Sequence, residues 1–261
     1  MVNSHFQTLY QSLLLFSCAV VAGVLNSIAG GGSFIAFPAL IFTGVQPIAA
    51  NATNNAATWI GTLGSVGAYR SELLSQRRKL LMLSITSLIG GVLGSLMLLS
   101  TPQTLFTKLI PYLLLLATLL FTFSQSLTTW LQARNQRLPD TESLSMSGIL
   151  LLQLVIATYG GFFGGGMGIL MLATLAVMGI ESIHTMNAFK NLLATCINGV
   201  ALIPFIIAGV IAWPQAVLMS IGALLGGYYS AYYARQLKPE WVRYFVIGVG
   251  FSMTVYFFVR G

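Results

Sequence analysis

Eight apolar runs, each long enough to cross a bilayer, leave this chain few ways to fold. They lie near 9–29, 48–69, 79–100, 104–130, 146–163, 183–207, 212–234 and 240–259. A helical span needs about 20 predominantly apolar residues. Lipid offers the backbone no hydrogen-bond partners, so runs of this kind predict helices that satisfy their own N–H and C=O groups. The strands of an outer-membrane barrel would instead alternate apolar and polar residues. Only 7% of the 261 residues are charged and 56% are hydrophobic, whereas a soluble domain carries about 25% charged residues. That composition excludes a water-exposed globular protein, a disordered chain and a nucleic-acid binder. The net charge of +7 is read as basic cytoplasmic loops that set orientation, not as a sign of an acidic partner. The opening MVNSHFQTLYQSLLLF has no Lys or Arg before its apolar stretch, which predicts a retained first span rather than a cleaved signal peptide.

Two shorter apolar pieces remain, near 33–43 and 167–178. As helices of 11–12 residues they would reach about 17 Å, against a hydrocarbon core of about 30 Å. Each follows a triple glycine, Gly30-Gly31-Gly32 and Gly164-Gly165-Gly166. They are expected as half-helices or re-entrant segments. Their pairing is part of an internal repeat. Asn51-Ala52-Thr53-Asn54-Asn55 aligns with Asn187-Ala188-Phe189-Lys190-Asn191 at an offset of 136, and Gly90-Gly91 with Gly226-Gly227 at the same offset. The triple glycines align at 134, so two extra residues between these motifs reconcile the offsets. Residues 1–131 are read as the first membrane repeat, 132–145 as a cytoplasmic linker and 146–261 as the second repeat.

Arg70, Arg77, Arg78 and Lys79 form one basic cluster, Arg134 and Arg137 a second, and Arg235, Lys238 and Arg243 a third. Basic loops belong in the cytoplasm. The repeat equivalents of the first and third clusters are uncharged, so equivalent loops fall on opposite sides and the halves are inverted. Five crossings per half then put both termini outside. The predicted fold is therefore an all-α integral membrane protein of two inverted-topology repeats, with about eight spans and two half-helices.

Inverted halves with glycine-interrupted short segments in corresponding places are the best sequence pointer to a transporter's substrate site. Bare backbone at membrane depth is tolerated only where protein buries it or a wet cavity meets it. Helices beginning at Ser33 and Met167 would aim partial positive charge at that spot, which suits an anion. The glycine pairs Gly90-Gly91 and Gly226-Gly227 predict close helix packing instead. In each Asn motif the outer asparagines lie at i and i+4, on one helix face. Lys190 is the sharpest single residue. A charge at the bilayer centre costs about 2.5–3.5 kcal/mol on insertion scales, and such residues mark function. Its repeat counterpart is Asn54. Glu181 and His184 are candidates for a coupling proton, since histidine titrates near neutrality. Trp59, mid-segment near Asn55, is a candidate for the cavity wall. Cys18 and Cys196 sit in apolar runs and are read as packing residues. The expected substrate-binding set is Gly30, Gly31, Gly32, Ser33, Asn51, Thr53, Asn54, Asn55, Gly164, Gly165, Gly166, Asn187, Lys190 and Asn191. Ser33 and His184 lack a third partner for nucleophilic catalysis, so no enzyme, catalytic residue, metal or cofactor is expected. The expected partners are a small anion and the lipid bilayer, with no nucleic acid; the sequence carries no signal for oligomeric state.

Gly-Gly-Gly-Ser before a short apolar segment and Asn-Ala-Thr-Asn, repeated as Gly-Gly-Gly-Met-Gly with Asn-Ala-Phe-Lys-Asn, resembles the TauE/SafE family of sulfite and organosulfur-anion permeases of bacterial inner membranes. The resemblance spans almost the whole chain. It implies an inner-membrane secondary transporter moving sulfite, sulfoacetate or a related sulfonate, usually by export. An anion channel of the same architecture, or an uptake permease for another small organic anion, is the alternative. Met167 stands where a second Gly-Gly-Gly-Ser would place a serine, so one hydroxyl is missing from the second half.

Overall fold

A computed structural model describes the backbone at residues 2–28, 31–68, 77–135, 145–180, 182–233 and 239–260, and the side chains over most of these. Among the described residues the fold is all-helical, with ten helices and no strand. In chain order they are α1 (Val2–Ile28), α2 (Ser33–Phe42), α3 (Pro47–Ala68), α4 (Arg77–Ser100), α5 (Gln103–Asn135), α6 (Met146–Phe162), α7 (Met167–Val177), α8 (Ile183–Ile207), α9 (Trp213–Tyr233) and α10 (Pro239–Arg260).

Four of these are long and apolar enough to cross a membrane: Leu9–Asn26 of α1, Arg78–Ser100 of α4, Gln103–Ser124 of α5 and Thr185–Ile207 of α8. Helices α3, α9 and α10 coincide with three more expected spans and contain 22, 21 and 22 residues. The expected span at 146–163 is the 17-residue α6, about 25 Å long. It stops at Phe162 because the glycine-rich break follows. The two short pieces are helices of 10 and 11 residues, α2 and α7.

Helix starts recur at fixed spacing. Helices α3, α4 and α5 begin 136 residues before α8, α9 and α10, and α2 begins 134 before α7. Packing follows the same correspondence. The largest contacts are α1 with α9 and α4 with α6, which the offsets exchange. Helix α4 also packs on α8 and α3 on α9, another exchanged pair, while α3 packs on α8 and α5 on α10. Elements of the two halves are thus interlaced rather than set side by side.

Small residues make the closest crossings. A Cβ added at Gly90 would lie 2.9 Å from the Leu154 carbonyl, and at Gly91 2.7 Å from a Val200 methyl. A Cβ at Gly226 would strike the Val20 backbone. Three of the four paired glycines therefore pack helices, as membrane interfaces favour. Gly227 shows no such crossing: among the described residues nothing lies within 4 Å of where its Cβ would be. On one side of the bundle an aromatic cluster closes the interior. Phe37 meets Phe163 edge-on at 5.5 Å, Phe106 meets Phe162 at 5.8 Å and Phe34 meets Phe121 at 6.1 Å, geometries that aromatic quadrupoles favour.

Candidate functional site

The two breaks start half-helices by different local means. In the second, Gly164 and Gly166 have φ of +79° and +76°, a left-handed region that costs other L-residues roughly 1–2 kcal/mol. The Tyr159 hydroxyl donates to the Gly165 carbonyl at 2.6 Å, fixing the loop from within α6. In the first break Gly32 is right-handed, and its N–H donates to Asn26 Oδ1 at 2.9 Å. The Phe34 and Ile35 N–H groups bond back to the Gly31 and Gly32 carbonyls, so the start of α2 is a tight, internally satisfied turn. Gly31 packs under Val246 and Phe121. Gly30 lies outside the described residues.

Between the breaks lies a cavity of about 60 Å³. Helix α3 presents Asn54, Asn55, Thr58 and Thr62 to it, and α8 presents Lys190, Asn191, Ala194 and Asn198. These spacings keep one face of each helix on the cavity. Ser33 and Gly164 bring in the two breaks, and Asn26 comes from α1. Asn54 and Lys190 each sit seven residues into their helices, about 11 Å from the start.

Lys190 is the only cation in the described lining, and it is buried at 7% exposure. Its Nζ donates to Asn187 Oδ1 at 3.2 Å. Its stem runs beside Gly168, where a Cβ would come within 3.3 Å of the Lys190 Cδ. The described lining of this cavity contains no carboxylate. The amides around it are under-used. Asn54 Nδ2 donates to Ser33 Oγ at 3.2 Å, which leaves Asn54 Oδ1 buried without a partner. Asn55 Nδ2 donates to Asn198 Oδ1 at 3.1 Å, leaving Asn55 Oδ1 and Asn198 Nδ2 free. Turning both amides over preserves one bond and again leaves one donor and one acceptor. A buried amide group left unpaired costs about 1–3 kcal/mol. Two of these three groups are carbonyl acceptors and one is an N–H donor, so the hydrogen bonding of the cavity that holds Lys190 is incomplete. Ammonium and amide N–H donors suit an oxyanion.

Not every expected residue reaches this cavity. Thr53 turns the other way, and its Oγ1 accepts from the Ala212 N–H at 3.0 Å, at the start of α9. Asn51 donates to the Phe162 carbonyl at 2.9 Å, tying α3 to the last turn of α6. Gly165 and Gly166 pack on Ala117 of α5. Asn187 reaches the site through Lys190, and Asn191 lines it directly. Trp59 is absent from the lining; its indole nitrogen lies against Gly199, where a Cβ would be 2.6 Å away. Cys18 and Cys196 are free thiols. Glu181 and the His184 side chain lie outside the described residues. The structure adds Asn26, Thr58, Thr62, Gly168 and Asn198. Asn198 and Thr62 were readable as continuations of the polar faces of α8 and α3, seven residues beyond Asn191 and Asn55.

A second cavity adjoins the first, sharing Asn26, Asn54, Thr58, Thr62 and Asn191. It runs between α1, α3 and α9 and is otherwise lined by small or apolar residues, including Ala19, Ala22, Gly61, Ala223 and Gly227.

The family described as "Sulfite exporter TauE/SafE" matches residues 15–257. A "Probable membrane transporter protein" of Haemophilus influenzae is 30% identical over 248 residues, covering 92% of each chain. "Probable membrane transporter protein ORF9" of a Sinorhizobium species is 26% identical, covering 92% of this chain and 90% of its own. "Probable membrane transporter protein YfcA" of Escherichia coli K12 is 27% identical, covering 82% and 77%. No solved structure matches.

Proposed function

The chain belongs to the sulfite exporter TauE/SafE family of membrane transporters, and from that premise we propose that it is a secondary transporter for a small sulfur-containing oxyanion. The observation that carries this reading is Lys190, a cation buried at 7% exposure within a long apolar helix, among amides with unused hydrogen-bonding groups. A buried charge is costly unless paired, and the described lining holds no protein anion to pair it. A substrate oxyanion supplies that partner. Its oxygens would accept from Lys190 Nζ, from an Asn55 or Asn198 amide, and from Ser33 Oγ.

In this reading the two halves are inverted repeats, and the basic clusters 70–79, 134–137 and 235–243 face the cytoplasm of a bacterial inner membrane with both termini outside. The recurrence of helix starts and of exchanged helix pairs supports the repeat itself. The site then lies near the bilayer midplane, where alternating access requires it. Export is the direction favoured by an inside-negative potential acting on an anion, about 2.3 kcal/mol per charge per 100 mV.

Reconstitution in liposomes tests the reading, with sulfite flux measured against chloride. Saturable sulfite flux is expected, falling about 100-fold or more in Lys190→Ala at equal insertion; that loss corresponds to ~2.7 kcal/mol. Equal flux from Lys190→Ala and the parent would refute the site. Non-saturating flux of both anions would assign a channel instead.

A further inference from the structure

We propose that the second cavity is a substrate subsite, and that the transported anion carries one charge and a short, uncharged carbon substituent. This rests on the transporter reading above. The head of such an anion sits at Lys190, and its substituent lies between α1, α3 and α9.

The two cavities adjoin, with Asn54, Thr58, Thr62 and Asn191 lining both. Asn54 is 4% exposed, and its unpartnered Oδ1 belongs to a residue lining both. The first cavity holds the cation, and the described lining of the second has none. An anion held at Lys190 that also fills the second cavity therefore places uncharged atoms there. A second carboxylate or sulfonate in that position would be buried without a counter-ion, which is strongly unfavourable.

The space is built at one of two corresponding helix interfaces: α1, α3 and α9 enclose it, and α6, α8 and α4 are their counterparts. At the 134- and 136-residue offsets, Ala19 corresponds to Gln153, Ala22 to Ile156, Ala36 to Leu170, and Gly61 to Ile197. Each counterpart is larger. Gln153, Ile156 and Ile197 are buried, and Gln153 Nε2 donates to Ser87 Oγ at 2.8 Å, Ser87 being the counterpart of Ala223. An access path that alternates between halves would need small residues in both. Here one interface has room and its counterpart is filled by larger, buried side chains.

The test compares initial rates of sulfite, propane-1-sulfonate and sulfoacetate in liposomes containing the full chain, Gly61→Ile or Gly227→Leu. Among the described residues a Cβ at Gly227 meets nothing within 4 Å, and one at Gly61 only the Ala223 methyl at 3.7 Å, so neither substitution clashes there at its Cβ. The parent is expected to move propane-1-sulfonate faster than doubly charged sulfoacetate. The propane-1-sulfonate-to-sulfite rate ratio is expected to fall at least about tenfold in both variants; the ratio is internal to each preparation and does not depend on yield. An unchanged ratio in both variants, or a parent that prefers sulfoacetate, overturns the subsite while leaving the transporter reading intact. A parent that moves none of the three overturns both.

Discussion

The two glycine breaks start helices of almost equal length, 10 and 11 residues, and deliver different chemistry to one cavity. The first ends in a hydroxyl–amide pair, Ser33 with Asn54. The second holds left-handed glycines and, at the position corresponding to Asn54, the ammonium of Lys190. Near-twofold scaffolding therefore does not give a twofold site. In the proposed site, the first half would supply a hydroxyl and amides to orient the ligand, and the second would supply the charge together with the Asn198 amide. Gly168 shows how the difference is accommodated. It corresponds to Phe34, which is buried against Phe121, yet in the second half that position is vacated so the Lys190 stem can pass.

Moving the charge between halves gives the largest effect. Lys190→Asn is expected to reduce sulfite flux about 100-fold, equivalent to ~2.7 kcal/mol. Adding Asn54→Lys to that variant restores a cation at the matching depth on α3, so flux is expected to recover by about tenfold. No recovery, with the double variant correctly inserted, would mean that the surroundings of Lys190 on α7 and α8 matter as much as the charge. A smaller loss is expected from Gly168→Val. Even a Cβ there lies 3.3 Å from Lys190 Cδ, so the two further methyls displace the ammonium and lower flux about tenfold with Lys190 intact. Flux equal to the parent would show that the stem has an alternative path.

Much of this was legible in the sequence, for physical reasons that differ by element. The spans announced themselves because a bilayer-crossing helix must be apolar over its whole length. The half-helices did too, since three successive glycines cannot hold a helix against its conformational freedom. Lys190 stood out because a mid-span charge is expensive. What stayed hidden was which face of each motif looks inward. Thr53 lies between Asn51 and Asn54, but the three point in different directions around α3, and Thr53 binds Ala212 instead. A five-residue motif turns through more than one helical revolution, so it cannot belong wholly to one cavity. Asn26 was hidden for another reason: its partnership with Gly32 depends on the path of the break, part of which neither helical nor strand periodicity describes.

The second break offers a test of backbone rather than chemistry. Gly166→Ala forces a left-handed alanine, costing roughly 1–2 kcal/mol, and its Cβ would sit 3.3 Å from Ala117. Thermal stability in detergent is expected to fall, while flux per inserted molecule changes less than in Gly168→Val. A loss of flux without a loss of stability would instead assign the break a part in the transport cycle.

The smallest effect separates orientation from attraction. Ser33→Ala removes the acceptor for Asn54 Nδ2 and one hydroxyl from the cavity, and leaves Lys190 in place. A single neutral hydrogen bond contributes about 0.5–1.5 kcal/mol net, so a two- to tenfold rise in KM at nearly constant maximal rate is expected. The second half lacks this hydroxyl already, having Met167 at the matching position. Met167→Ser would add one to the cavity that Lys190 lines, and it is expected to lower KM if head-group hydrogen bonding limits affinity. Should both substitutions leave KM unchanged, the hydroxyl–amide pair of the first break is only a brace between α2 and α3, and Lys190 with the Asn55–Asn198 pair carries recognition without it.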